Sequence, residues 1–136
     1  MKVFLDTNVL VSAFATRGLC ADVMRVILTE HELLIGEVVL TELQRILSKK
    51  FQMPEKAVVN TLNFLKHQPI IPKPEKVTDA DIEDKDDLWI LASALKGQAD
   101  ILVTGDHELL ALKEYQGLTI LSPRAFWKLS AQESHS

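Results

Sequence analysis

Four acidic residues stand where a sheet-based site would collect them: Asp6, Glu42, Asp87 and Asp106. Asp6 follows the apolar run Val3-Phe4-Leu5, and Asp106 follows Ile101-Leu102-Val103-Thr104-Gly105. In open parallel α/β sheets the ligand site lies beyond the carboxyl ends of the strands, so an acid directly after a strand is well placed for chemistry. Glu42 falls in the first turns of the helix after a second strand, and Asp87 at the start of the helix before a third. Carboxylates gathered this closely repel one another unless a cation stands between them, and a hard divalent ion, Mg²⁺ or Mn²⁺, is the natural partner. Such an ion activates water and stabilises a leaving oxygen, so phosphodiester hydrolysis would need no protein nucleophile. None is evident: there is no convincing Ser/His or Cys/His arrangement, and the single cysteine, Cys20, reads as a core residue.

The elements that must position these acids can be read from apolar spacing. Met1 to Leu5 is predicted as a buried strand ending in a turn at Asp6-Thr7-Asn8. A helix starts in Val9 to Phe14, is interrupted at Gly18, and resumes over Ala21 to Leu28. Leu33-Leu34-Ile35 reads as the second strand, and Val38 to Ser48 as an amphipathic helix with Val39, Leu40, Leu43, Ile46 and Leu47 on one face. Pro54 opens a further helix bearing Val58, Leu62 and Leu65, and Ile70-Ile71 is a short strand. The proline-rich and acidic stretch from Pro72 to Asp87 predicts an exposed loop. Asp87 to Leu95 is a compact helix ended by Gly97. Ile101 to Val103 and Leu118 to Leu121 complete the strands, with a helical segment from Glu108 to Tyr115 between them and a last helix around Phe126, Trp127 and Leu129. Strands that are continuous apolar runs, alternating with helices, predict an α/β fold with a central parallel sheet covered on both faces.

Composition bounds the class. With 136 residues, 47% hydrophobic and 25% charged, the chain suits one domain, expected over residues 1–130 with a flexible tail over 131–136. No apolar run approaches the roughly 18 to 20 residues of a membrane span, and no secretory leader is recognisable, so a cytoplasmic protein is expected. The net charge of −4 argues against a protein that coats nucleic acid by bulk electrostatics, but carboxylates for a metal depress net charge even where basic residues line a substrate groove.

The acid-bearing segments resemble those of the PIN-domain family. Phe4-Leu-Asp-Thr-Asn-Val-Leu10 resembles its opening strand with the first acid and following Asn, and Val39-Leu-Thr-Glu-Leu43 the helix with the second acid. Asp87-Leu-Trp-Ile-Leu-Ala-Ser-Ala94 is similar to its D-x-x-I-x-A-x-A helix, and Leu102-Val-Thr-Gly-Asp-His-Glu-Leu-Leu110 to its late T-x-D strand end. The order and spacing agree across nearly the whole chain. The resemblance implies a three-layer α/β/α sandwich and a metal-dependent endoribonuclease, often the toxin of a VapC-like toxin-antitoxin pair. It also implies a homodimer, RNA as substrate and an antitoxin protein as partner. Asp6, Glu42, Asp87 and Asp106 would be the catalytic metal ligands. Beside them the residues themselves offer Asn8, a turn residue whose amide could orient the Asp6 carboxylate or a metal-bound water, and Thr104, a strand threonine, in the same supporting role. Asp81, Glu83, Asp84 and Asp86 crowd the third acid, and the distance to Ala92 and Ala94 selects Asp87 while leaving open a contribution from Asp84 or Asp86.

Each of these residues also has an ordinary structural reading. An Asp after a strand commonly caps a helix, Asp87 could do no more than that, and Glu42 could sit on a solvated helix face. Arg17, Arg45, Lys49 and Lys50 read as surface charges, His107 as a loop residue and Trp89 as core or a subunit contact. Two rival functions remain. Leu5-Asp6-Thr7-Asn8 and Thr104-Gly-Asp106 resemble motifs of a haloacid-dehalogenase-type phosphatase, although that enzyme would need Asp at position 8. The other rival is a non-catalytic PIN or receiver-like module, which loss of one of the acids would favour.

Overall fold

In the computed structural model, described for residues 1–134, three consecutive side chains of the first strand, Val3, Phe4 and Leu5, are all fully buried. Successive strand residues point to opposite faces, so this sheet is covered on both sides. That strand is β1 (Lys2–Leu5), followed by α1 (Thr7–Ala15), α2 (Leu19–Glu30), β2 (Glu32–Gly36) and α3 (Glu37–Arg45). Helix α3 runs on into one π-helical turn, Ile46–Lys50, and then come α4 (Glu55–Lys66) and β3 (Ile70–Ile71). The chain closes with α5 (Lys85–Lys96), β4 (Ile101–Val103), α6 (His107–Leu112), β5 (Glu114–Tyr115), β6 (Leu118–Leu121) and α7 (Pro123–Ser134).

The strands form one sheet in the order β3-β2-β1-β4-β6-β5. All pairings are parallel except β5 with β6. Starting from β1, the chain builds outward through β2 and β3 on one side, then returns to lay β4 and β6 on the other. The strand order therefore reverses between β1 and β4, where open α/β sheets form a crevice at their carboxyl ends. The ladder continues one residue past each strand: Asp6 N–H donates to Val103 O at 3.0 Å, and Thr104 N–H to Leu121 O at 3.0 Å. These bonds fix Asp6 and Thr104 in register at the mouth of the crevice.

The core is aliphatic and aromatic, with Phe4, Leu10, Ile27, Ile35, Leu43, Leu65, Leu91, Leu102 and Phe126 among its fully buried members. Burying one such side chain contributes roughly 1.5–3 kcal/mol. The segment between β3 and α5 has no helix or strand of its own, as expected, but Pro74 and Ile82 are buried and anchor it. No helix among the described residues is long and apolar enough to cross a membrane.

Two readings of the sequence need correction. The helix expected over Glu108 to Tyr115 ends at Leu112, because Lys113 takes φ 62° and Glu114–Tyr115 pair antiparallel with β6. Gln116 and Gly117, with φ 51° and 87°, make the two-residue hairpin turn that joins them, a conformation that matches the twist of the flanking strands. The helix expected to Ser48 leaves α geometry after Arg45, where Phe51 N–H bonds Ile46 O at 3.2 Å, five residues back. Helix α7 runs through 131–134, part of the segment expected as tail, and residues 135–136 lie outside the described residues.

Candidate active site

Asp6 ends β1 and caps α1, and its short side chain is buried, 6% exposed. Its Oδ1 accepts from Thr7 N–H at 2.7 Å and its Oδ2 from the Thr104 hydroxyl at 2.7 Å. Burial pushes the Asp6 carboxyl above its usual range. The Thr104 and Thr7 bonds oppose that rise, while the charges of Glu42 and Asp106 add to it.

Thr104 is more than a partner for Asp6. It is fully buried, and its Oγ1 also accepts from Asp106 N–H at 3.0 Å, so one hydroxyl sets the positions of two of the predicted acids. Asp106 then caps α6, its Oδ1 accepting from Leu109 N–H at 3.1 Å. The supporting role expected of Thr104 has this geometric basis. Asn8 has no such bond: its side chain is exposed, lines a cleft beside Glu42, and forms no hydrogen bond to Asp6. The neighbour that bonds both Asp6 and Glu42 is Thr7, which the sequence reading passed over. Thr7 is buried, and its hydroxyl donates to Glu42 Oε2 at 3.3 Å, joining the acid of α3 to the start of α1.

Asp87 lies in the first turn of α5 and is 8% exposed. It does not cap the helix. Asp84 does, its Oδ1 accepting from Asp86 N–H at 2.8 Å, which answers the structural reading of Asp87. Asp87 Oδ2 is buried with no hydrogen-bond partner. Burial raises the Asp87 carboxyl from 3.8 to about 7, helped by the charge of Asp106 and a hydrogen bond with it, then by Asp84 and Asp6. Of the two acids left open, Asp84 thus acts on Asp87 through charge, whereas Asp86 is exposed and lines a cleft with Glu42.

The electrostatic links join all four predicted acids: Asp6 feels Glu42 and Asp106, and Asp87 feels Asp106 and Asp6. Among the described residues no basic side chain is ion-paired with any of them, the one ion pair being Arg25 with Asp22. Two clefts meet at Glu42, one of about 440 Å³ that includes Trp89 and Lys73, the other of about 580 Å³ that includes Asn8 and Lys49. Trp89 is half-buried rather than core, with Lys73 Nζ 4.6 Å from its ring centre.

Among the described residues no three His, Cys, Asp or Glu side chains are arranged to ligate one ion together. The donors present are nonetheless hard carboxylate oxygens, and Asp87 Oδ2 is a buried oxygen without a partner. They fit an ion that leans on one or two carboxylates and keeps several waters, as Mg²⁺ does.

A crevice at the strand-order reversal of a mostly parallel sheet, carrying acids at the ends of β1 and β4, is the arrangement of a PIN domain. The sequence matches the PIN domain family over residues 2–108, and the chain belongs to that family. No curated protein sequence matches it. Among solved structures it is similar to VapBC2 of Rickettsia felis, solved bound to a promoter DNA fragment, at 23% identity and TM-score 0.65, covering 90% of this chain and 98% of that one. It is similar to VapC20 of Mycobacterium tuberculosis, a sarcin-ricin loop cleaving toxin, at 12% identity and TM-score 0.60, covering 86% and 98%. VapBC-1 of nontypeable Haemophilus influenzae matches at 18% identity and TM-score 0.61, covering 91% and 99%. At these identities the likeness is one of fold.

Proposed function

We propose that this protein is a metal-dependent endoribonuclease, the toxin of a VapC-like toxin-antitoxin pair, working in the cytoplasm as a homodimer. Asp6, Glu42, Asp87 and Asp106 would hold Mg²⁺ or Mn²⁺. The observation that carries this reading is Asp87: a buried carboxyl oxygen with no partner, on a group raised to about 7 by burial first and then by the acids around it. Such a group is out of balance by itself, and a divalent cation between the acids would restore the balance.

When bound, the ion would lower the pKa of water and offset charge on the leaving oxygen of a phosphodiester. The chain's own residues divide the remaining work. Thr104 and the Thr7 N–H hold both Asp6 oxygens in one orientation, and the Thr7 hydroxyl does the same for Glu42 Oε2. The unpartnered Asp87 Oδ2 would face the ion, whose charge would oppose the rise that burial and the neighbouring acids give that carboxyl. The phosphatase reading loses ground because Asn8, at the position that would need Asp, faces solvent and makes no bond to Asp6.

The direct experiment is incubation of the purified protein with defined RNAs, with Mn²⁺ and with EDTA. Cleavage in Mn²⁺ that EDTA stops is the expected result. If no RNA is cut and calorimetry shows no Mn²⁺ binding, the protein is a non-catalytic PIN module.

A further inference from the structure

The outer face of α3 and the π-helical turn after it carry a group of cations that the acidic site does not use. Arg45, Lys49 and Lys50 are exposed, and none of them is in an ion pair among the described residues. Two neighbouring clefts share Arg45 and Lys49. One, of about 320 Å³, is lined by Thr41, Gln44, Arg45, Ser48 and Lys49, with no acid among them. The other, of about 580 Å³, takes in Arg45, Lys49, Lys50 and Phe51 and ends at Asn8 and Glu42.

The π turn shapes this strip. The widened turn bonds Phe51 N–H to Ile46 O, five residues back, and Phe51 lines the same cleft as Arg45, Ile46, Lys49 and Lys50. Phe51 is 42% exposed, a large apolar ring left in water beside three unpaired cations. Cations that follow a backbone, with an aromatic ring open to stack a base, are the chemistry that recognises single-stranded nucleic acid. A duplex keeps its bases stacked and cannot offer one to Phe51. The cleft on the other side of Glu42 is less suited to phosphates, because Glu37, Glu42 and Asp86 there outnumber Arg45 and Lys73.

We infer that Arg45, Lys49, Lys50 and Phe51 form a subsite for single-stranded RNA that leads the strand past Asn8 to Glu42, with phosphates on the cations and one base on the Phe51 ring. This rests on the ribonuclease reading, which it extends from the acids to the substrate.

The test is fluorescence anisotropy of the full chain in EDTA, with a short labelled single-stranded RNA and the duplex of the same sequence, across a range of salt. The wild type should bind the single strand more tightly than the duplex. Replacing both lysines (Lys49→Ala, Lys50→Ala) should lower the slope of log affinity against log salt by about 1.4, at about 0.7 per single-strand phosphate contact. Phe51→Ala should weaken binding about tenfold and leave the slope alone. All three side chains are exposed, so the variants should keep the wild-type melting temperature. Unchanged slope in the lysine variant, or unchanged affinity in Phe51→Ala, overturns the subsite. So does a poly-glutamate peptide that binds as tightly as the RNA with the same losses, which would mark a protein-binding strip. Expected binding in EDTA with no cleavage in Mn²⁺ would support the strip and defeat the nuclease reading. Cleavage indifferent to all three substitutions would do the reverse.

Discussion

The Thr104 hydroxyl donates to Asp6 Oδ2 at 2.7 Å across 98 positions of sequence, and this bond ties the end of β4 to the end of β1. The same oxygen accepts from Asp106 N–H, so the spacing of two acids rests on one buried side chain. Thr104→Val keeps the shape and removes both bonds. It should cost about 1–3 kcal/mol in a urea melt, since Asp6 loses a donor in a buried place. Mn²⁺ affinity measured by calorimetry should fall about tenfold or more, and Thr104→Ser should restore both quantities. A loss of stability with Mn²⁺ affinity unchanged would show that Thr104 supports the fold alone.

Asp6→Asn and Asp87→Asn should each abolish Mn²⁺-dependent RNA cleavage in single-turnover assays while circular dichroism shows the fold retained. Asp84→Ala is the contrasting variant. Asp84 caps α5, so its loss should lower stability by roughly 1 kcal/mol and leave cleavage dependent on Mn²⁺. Full activity in Asp87→Asn would remove that residue from the mechanism.

The raised carboxyl of Asp87 makes stability depend on pH with a definite sign. Its folded pKa of about 7 exceeds the reference 3.8, so between those values the folded chain binds more protons than the unfolded one. The contribution to stability is fully present below about 3.8 and is lost as pH rises through 7. In EDTA, wild type and Asp87→Asn should therefore melt together only below about pH 3.8, and the variant should melt progressively higher than wild type as pH rises to 8. Millimolar Mn²⁺ should reverse the order at pH 8, because binding to the native state alone adds about 2.7 kcal/mol at a hundredfold excess over Kd. If the variant melts well below wild type in EDTA at pH 8, the Asp87 carboxylate stabilises the metal-free fold and the repulsion argument fails.

Gly36 precedes α3, the helix that delivers Glu42, and a Cβ there would lie 2.7 Å from Cζ of the fully buried Phe4. The ring is held in the core and has little room to retreat. Gly36→Ala should cost about 1–3 kcal/mol by overpacking. Combined with Phe4→Leu, which opens space at that contact, the two changes should cost less together than the sum of each alone. Strict additivity in the urea midpoints would show that Gly36 does not press on Phe4.

The strands and most helices were legible because their signals are local. Val3-Phe4-Leu5 and Ile101-Leu102-Val103 are apolar runs bounded by turn residues, and the helix of Asp87 has its apolar spacing and a terminal glycine. The hairpin at Gln116-Gly117 was hidden because β5 is a two-residue strand, Glu114–Tyr115, with no apolar alternation of its own. It becomes a strand by pairing with β6, a contact that helix propensity before it does not reveal. The π turn was hidden for a similar reason: Ile46 and Leu47 continue the helical spacing, and packing of that turn against α1 and α4 lies outside any local pattern.

By itself the sequence determined the inventory: four acids in order, placed after strands or in early helical turns, on a chain whose alternating elements demand a parallel sheet. Local chemistry suffices for that, since turn, cap and strand signals act over a few residues. Tertiary structure decided where each acid sits and what it touches. The reversal of strand order brings Asp6 beside Thr104, and packing turns the Thr7 hydroxyl toward Glu42. It also gives the cap of α5 to Asp84 and leaves Asp87 buried with an unpartnered oxygen. Burial and charge proximity depend on distances between residues remote in the chain, and those distances exist only after the sheet has closed around its core.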